Sequence, residues 1–163
     1  IRAVRPLSSQ PPARGDSAAP SGELALLHDT HVLVVDDDVD SRELLRSVFE
    51  ERGAQVTCAG SASEAREYVR TLRPHVIVCD VGMPDENGYD FIRSVRQLAR
   101  EKSMRAVAQT PAVALTAYVR PADRLRALSA GFNNHLAKPV DAEELVQLVR
   151  NLSQLVRATT FPS

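Results

Sequence analysis

The chain reads HVIVCDVGMPDENGYD from His75 to Asp90, and this stretch joins a short apolar run to an abruptly polar loop. The run His75–Cys79 is rich in β-branched residues, which is typical of a strand buried on both faces of a parallel sheet. It stops at Asp80, and a proline and two glycines soon follow, as in a loop. Asp80 then has two interpretations, as the start of a turn or as a chemical group at a strand end. The rest of the chain decides between them.

The same order of strand and helix recurs along the chain. Short apolar runs predict further strands at 31–35, 55–58, 112–115 and 135–137. Amphipathic helices are predicted to begin near Asp40, at a Ser61–Glu64 capping box, before Phe91, at Pro121 and at an Asp141–Glu144 capping box. Strands that are apolar throughout and alternate with helices predict a doubly wound α/β fold, with a five-stranded parallel sheet covered on both faces by five helices.

Helical spacing also predicts which side chains face the core. The expected inward residues are Leu44, Leu45, Val48 and Phe49 in the first helix, Ala65, Tyr68, Val69 and Leu72 in the second, Phe91, Ile92, Val95 and Leu98 in the third, and Leu145, Leu148, Val149, Leu152 and Val156 in the last. Residues 100–110 are predicted to be a polar connection.

The first residues differ from the rest in composition. Residues 1–29 carry several prolines among Ser, Ala and Gly, which predicts a flexible linker with few side chains to bury. The folded domain is expected at 30–157, with a tail at 158–163. Because the chain begins with Ile1 rather than methionine, we expect a fragment of a longer chain or a processed chain.

Composition excludes several classes of function. Lys and Arg number 20 and Asp and Glu 21, a net charge of -1, so there is no basic excess for a nucleic acid partner. Neither a run long enough to span a bilayer nor a secretory signal is found in the sequence. Cys58 and Cys79 lie apart in strand-like runs and are expected to be small buried residues in a reducing compartment. We therefore expect a soluble, cytoplasmic domain without direct membrane contact.

Polar residues follow four of the predicted strands. Because the carboxyl ends of parallel strands meet at one edge of the sheet, these residues are expected to converge. Clustered carboxylates repel one another and need a cation, and oxygen ligands of this kind suit Mg²⁺. The pattern predicts a phosphoryl site with Asp80 as nucleophile, whereas Asp38 and Asp40 are better explained as helix caps and first-turn charges. The residues at the strand ends are Asp36, Asp37, Asp80, Thr116 and Lys138.

These motifs resemble the receiver domains of bacterial two-component response regulators. The resemblance rests on VLVVDDD, CDVGMPDENGYDFI, ALTA and LAKPV, covers roughly residues 30–157, and implies a flavodoxin-like topology. It implies that Asp36, Asp37, Asp80 and the backbone carbonyl of Gly82 hold Mg²⁺, and that Asp80 accepts the phosphoryl group. Thr116 and Lys138 would contact the phosphoryl oxygens. A cis peptide is implied at Lys138-Pro139.

The resemblance also implies partners and a switch. The phosphoryl donor would be a phosphohistidine on a histidine kinase core or a histidine phosphotransfer protein, and a weak homodimer is left open. The segments DVGMP and AGF..HLAKPV are most similar to those of C-terminal receivers of hybrid sensor histidine kinases. In such a kinase, the upstream chain would tether the domain to a membrane sensor. His135 stands where most receivers have Tyr or Phe, so it is either part of a weakened, pH-sensitive switch with Thr116 or a simple surface residue.

Three alternatives stay open on the sequence. The domain could be a degenerate receiver used only for docking, although all five phosphorylation positions are present. It could be a single-domain regulator with a long tail. A haloacid-dehalogenase-like phosphatase is the third, because Asp36-Asp37-Asp38 resembles the D-x-D motif of that family, but Asp40 stands where a Thr or Val is expected.

Overall fold

The computed structural model of the chain describes residues 26–117 and 120–160. Within these residues, five parallel strands form one sheet, and they are β1 His31–Val35, β2 Gln55–Ala59, β3 Val76–Asp80, β4 Ala112–Thr116 and β5 Asn134–Ala137. Their order in the sheet is β2-β1-β3-β4-β5, which confirms the predicted doubly wound fold.

In the described part of the chain, five α-helices cover the sheet, and side-chain caps define where four of them begin. Asp38, Ser61, Asn87 and Asp141 each accept a hydrogen bond from the backbone N–H of the third residue that follows. Pro121 occupies the first helical position of the fourth helix, as predicted. The helices are α1 Val39–Glu50, α2 Ala62–Leu72, α3 Gly88–Gln97, α4 Pro121–Ala130 and α5 Ala142–Thr160.

Alternating strand residues contribute their side chains to two apolar layers, one on each side of the sheet. In β1, Val32 and Val34 pack with α1 and α5, whereas Leu33 and Val35 pack with α2, α3 and α4. Each fully buried side chain of this size contributes about 1.5–3 kcal/mol to folding. The sheet is therefore fixed from both faces, and its carboxyl edge is a stable base for functional groups.

Two predicted core residues are exposed. Leu44 is 66% exposed and Leu72 is 44% exposed, so their assignment to the core was wrong. Both lie at the margin of a helical stripe whose centre is buried, at Leu45 and Phe49 in α1 and at Val69 in α2. The spacing identifies the apolar side of a helix, but the neighbouring helix decides how wide the covered stripe is.

The connection before β4 is more structured than its polar sequence predicts. It forms three short 3-10 turns, Leu98–Arg100, Lys102–Met104 and Val107–Gln109. Val107 and Ala108 are buried against α3 and its neighbouring turns, and the connection thereby adds apolar cover to the sheet.

Both predicted boundaries of the folded domain need correction. Leu27 is fully buried, and its N–H donates to Arg52 O at 2.8 Å, so the folded unit includes residues 26–29 instead of beginning at residue 30. The rest of the predicted linker, residues 1–25, lies outside the described residues. At the other end, α5 continues to Thr160, so 158–160 are helical, while 161–163 and the Val156 side chain lie outside the described part of the chain. In the described part of the chain, none of the helices combines the length and the hydrophobicity that a membrane span requires.

Candidate functional site

Asp36 and Asp80 extend two neighbouring strands at the carboxyl edge of the sheet. β1 pairs with β3 in parallel register, with Val35 opposite Cys79, so the two carboxylates lie side by side. The Asp36 N–H donates to Ala59 O at 3.0 Å, which holds the turn after β1 against β2. The pairing of three strands therefore fixes the position of Asp36.

Three carboxylates form an acidic cluster at this edge. One oxygen each from Asp36, Asp37 and Asp80 lies within 4.8 Å of the others. Asp36 is buried, Asp80 is partly buried and Asp37 is exposed, so the cluster opens to solvent on one side. Carboxylate oxygens with an open, hydrated side match the preference of Mg²⁺ for a few protein ligands and several waters. The residues present thus fit a magnesium site.

Lys138 brings a positive charge to the cluster from the end of β5. Its Nζ lies 3.4 Å from Asp36 Oδ2 and 3.5 Å from Asp80 Oδ2. Its backbone N–H donates to Thr116 O at 2.8 Å, and the following Lys138-Pro139 peptide is cis, as the resemblance implied. The lysine is therefore placed by its backbone and directed toward both carboxylates.

Burial dominates the electrostatics of Asp36. It raises the pKa of this carboxyl above its ordinary value, while the N–H of Asp38, which donates to Asp36 Oδ1 at 2.9 Å, and the charge of Lys138 act in the opposite direction. Because one ammonium lies beside three carboxylates, the cluster carries the excess negative charge that a cation would neutralise.

Asp38 caps a helix and does not join the cluster. Its Oδ2 accepts hydrogen bonds from the Ser41 hydroxyl at 2.8 Å and from the N–H of Ser41 at 3.0 Å, and these bonds lower its pKa. The prediction of a cap is confirmed, and Asp40 lies in the first turn of α1 as expected. Asp38, which would be the second acid of a D-x-D motif, therefore caps α1 instead of joining the carboxylate cluster.

The loop after β3 is held close to Asp80 at both of its ends. Asp80 Oδ1 accepts from the N–H of Gly82 at 3.0 Å, and the N–H of Gly88 donates to Val81 O at 3.2 Å. A Cβ on Gly88 would lie 2.8 Å from Val81 Cα and 3.0 Å from Asp80 O. Only glycine lets the start of α3 come this close to the end of β3.

Thr116 and His135 occupy neighbouring strands on one face of the sheet. Thr116 ends β4 and is buried opposite Ala137, while His135 is partly buried opposite Ala114, two register positions earlier. The two side chains therefore point to the same face. The structure brings Asp36, Asp37, Asp80 and Lys138 into one cluster and places His135 farther along the sheet.

Two arginines near the site make contacts that the sequence did not predict. Arg42 of α1 donates from Nη1 to Asp36 O at 2.8 Å, and Gly60 leaves it room, because a Cβ there would lie 3.0 Å from that nitrogen. Arg66 of α2 pairs with Glu86 in the loop after β3. Both contacts join different elements, and no spacing within one element reveals such a contact.

The sequence of residues 32–150 matches the family described as "Response regulator receiver domain". An uncharacterized 14.6 kDa protein of Leptolyngbya boryana is 46% identical over 119 residues, which cover 73% of this chain and 86% of that protein. The response regulator Rre1 of Synechocystis is 35% identical over 122 residues, 74% of this chain but only 50% of Rre1. This chain thus spans half the length of Rre1.

Solved structures show the same similarity. The receiver domain of Francisella response regulator 1452 superposes with a TM-score of 0.67 at 28% identity, covering 77% of this chain and 98% of that one. The chemotaxis response regulator CheY4 of Vibrio cholerae gives a TM-score of 0.66 at 28% identity, covering 76% and 98%. The described fold therefore accounts for nearly the full length of both structures.

Proposed function

This chain belongs to the family of response regulator receiver domains, and from that premise we propose that Asp80 is its phosphoacceptor, in a site that holds Mg²⁺ with Asp36 and Asp37. The observation that carries the proposal is the cluster of three carboxylates within 4.8 Å, with the Lys138 ammonium close to two of them. In the proposed site, the backbone carbonyl of Gly82 completes the protein ligands. When bound, Mg²⁺ supplies charge that neutralises phosphoryl oxygens.

The proposed reaction is phosphoryl transfer from a phosphohistidine. A carboxylate oxygen of Asp80 attacks the phosphorus, the new O–P bond forms as the P–N bond breaks, and the electron pair returns to the imidazole of the donor. Lys138 holds a positive charge beside Asp80 and faces the transferred group, and the Thr116 hydroxyl donates to one of its oxygens. The protein thus contributes position and charge, and Asp80 ends as an acyl phosphate.

The proposed output is a shift in partner binding. Thr116 moves toward the new phosphoryl oxygens, and the face formed by α4, β5 and α5 repacks. His135 lies on the same face of the sheet as Thr116, which supports its proposed part in this switch. The partner is a histidine kinase core or a histidine phosphotransfer protein, and we propose a cytoplasmic domain that is joined by residues 1–25 to a hybrid kinase.

Phosphorylation by a small donor tests the proposal. Native protein, Asp80→Asn and the loop control Asp85→Asn are incubated with acetyl phosphate and Mg²⁺, and intact mass is measured. Native protein and the control are expected to gain one phosphoryl group, and Asp80→Asn none. A phosphoryl mass on Asp80→Asn, at the native rate, would show that another residue is the acceptor.

A further inference from the structure

The loop of residues 81–87, which joins β3 to α3, is fixed at its start by buried side chains. Val81 and Met83 are 8% and 6% exposed and belong to the apolar layer that contains α2, α3 and α4. Gly82 lies exposed between them, and Asp85 is exposed farther along the loop. Apolar packing therefore anchors the start of the loop but leaves its tip to polar contacts.

Glu86 connects the tip of this loop to α2 through Arg66. The guanidinium of Arg66 donates to both carboxylate oxygens, from Nη1 to Oε2 at 2.6 Å and from Nη2 to Oε1 at 2.9 Å. The same Nη1 lies 3.4 Å from Ser94 Oγ on α3, and that hydroxyl donates to Phe91 O at 2.6 Å. One side chain of α2 thus contacts the loop and the helix that follows it.

This pair differs from the Arg70–Glu101 ion pair, whose arginine lies on the same helix. Only about a third of each side chain is exposed, 36% for Arg66 and 32% for Glu86, and the two-bond geometry restricts both groups. The hydrogen bond from Arg66 lowers the pKa of Glu86, and the same bond raises the pKa of Arg66. By contrast, Arg70, one turn later on α2, makes a single 3.4 Å contact with Glu101, and both side chains are more exposed.

We propose that the Arg66–Glu86 pair is a positioning device that holds the loop after β3 in the conformation that receives Mg²⁺. The inference rests on the proposed function, because that function assigns the Gly82 carbonyl to the metal. A loop that is already ordered loses less conformational freedom when an ion binds. Groups that orient metal ligands without touching the metal commonly change its affinity when they are replaced. Val81 and Met83 anchor the chain on either side of Gly82, and the Arg66–Glu86 pair holds the far end of the same loop, so the pair is expected to change metal affinity by limiting the backbone motion that these two anchors leave to Gly82.

Calorimetric titration of the full chain with Mg²⁺ tests this role. Arg66→Gln and Glu86→Gln are each expected to raise the Mg²⁺ dissociation constant by about 3- to 10-fold. The double variant is expected to show the same increase as either single one, since all three lose one interaction. The exchanged pair Arg66→Glu/Glu86→Arg is expected to recover part of the affinity, and Arg70→Gln is the matched control with native affinity.

A second measurement follows the loop without metal. Amide hydrogen exchange in the metal-free protein is expected to be faster at Gly82 and Gly88 in Glu86→Gln, and unchanged in Arg70→Gln. Native Mg²⁺ affinity and native exchange in both single variants would overturn the positioning role while leaving the proposed function intact. A native protein that neither binds Mg²⁺ nor accepts a phosphoryl group would overturn the proposed function, and this inference with it.

Discussion

At the scale of single residues, the site depends on how closely backbone segments approach. Gly88 lets the first turn of α3 lie against the last residues of β3, where a Cβ would meet Val81 Cα at 2.8 Å. A Cβ on Gly82, in the same loop, would have Asp80 Oδ1 as its nearest neighbour at 3.6 Å, which is an ordinary contact. A close backbone contact therefore requires glycine at position 88, whereas no such contact requires it at position 82.

Gly88→Ala is expected to lower the free energy of unfolding by about 1–3 kcal/mol, because the new methyl group overlaps backbone that cannot move aside. Gly82→Ala is the matched control and is expected to change stability by less than about 1 kcal/mol. Urea denaturation of both variants measures the difference. Equal losses in the two proteins would mean that the loop relaxes at Gly88.

His31 and His75 form a second residue-level feature, at the opposite end of β1 and β3. The His31 N–H donates to His75 Nδ1 at 2.9 Å, and His31 Nε2 lies 2.8 Å from Thr57 Oγ1. Burial, with a smaller effect of the neighbouring His75, lowers the pKa of His31 below 6.5. The folded protein therefore resists protonation at this position more than the unfolded chain does.

This pKa shift predicts that stability falls as the pH drops below about 6.5, since the unfolded state then binds more protons. The contribution of His31 is fully present above that pH and is lost toward the lower pKa of the folded protein. His31→Gln is expected to flatten this part of the profile, whereas His28→Gln, at an exposed position, is expected to keep the native slope. Urea midpoints between about pH 5 and pH 8 compare the three proteins, and parallel profiles would contradict the assignment to His31.

At the scale of elements, local sequence patterns predicted the starts of helices well. The Ser61–Glu64 and Asp141–Glu144 signatures both lie at observed helix starts, with backbone bonds of 3.2 Å and 3.1 Å to the capping oxygens. Leu44 and Leu72 were misplaced because the width of a buried stripe depends on neighbouring elements. The 3-10 turns before β4 were missed for a similar reason, since their small apolar residues are covered only in the folded layer.

The turn formed by residues 26–29 was not predicted from the composition of the sequence. Leu27 follows a Pro- and Ser-rich segment, yet it belongs to the same apolar layer as Val32, Phe49 and Leu152, under α1 and α5. The turn is closed by the Thr30 N–H, which donates to Leu27 O at 2.9 Å. A single buried leucine is enough to add residues 26–29 to the folded unit.

Leu27→Ala is expected to cost about 2–5 kcal/mol of stability, because it leaves a cavity in a fully packed layer. The adjacent His28→Ala changes an exposed side chain and is expected to stay within about 0.5 kcal/mol of native. Thermal and urea unfolding of both variants measure the cost. A native stability for Leu27→Ala would restore the linker boundary at residue 29.

At the scale of the whole molecule, strand order brings distant residues together. Lys138 and Asp36 are 102 positions apart and lie 3.4 Å from each other at the sheet edge. The sequence could predict this convergence, because the ends of parallel strands share one edge. It could not predict the Arg66–Glu86 pair or the Arg42 contact, because these depend on the angles at which α2 and α1 pack on the sheet.

Metal binding is expected to raise global stability through linkage. At a Mg²⁺ concentration about 100 times the dissociation constant, the free energy of unfolding should rise by about 2.7 kcal/mol. Asp37→Asn is expected to lose most of this increment while its metal-free stability stays equal or rises, since one repulsive charge is removed. Asp40→Asn, in the first turn of α1, serves as the control and should keep the increment. Urea unfolding in MgCl₂ and in NaCl of equal ionic strength measures this increase in the free energy of unfolding. If Asp37→Asn showed the full increase, Asp37 would be excluded as a Mg²⁺ ligand.

The position of the Lys138 ammonium group between two carboxylates has one more consequence. Its ammonium group is almost equidistant from carboxylates that end β1 and β3, at 3.4 Å and 3.5 Å. A unit charge at such a distance changes the interaction by about 1 kcal/mol in water and about 4 kcal/mol near a protein surface, against a thermal energy of about 0.6 kcal/mol. Any gain of charge on one carboxylate alone therefore draws the lysine toward it. The Lys138 side chain, at the end of β5, is therefore expected to follow the difference in charge between the two carboxylates rather than their sum.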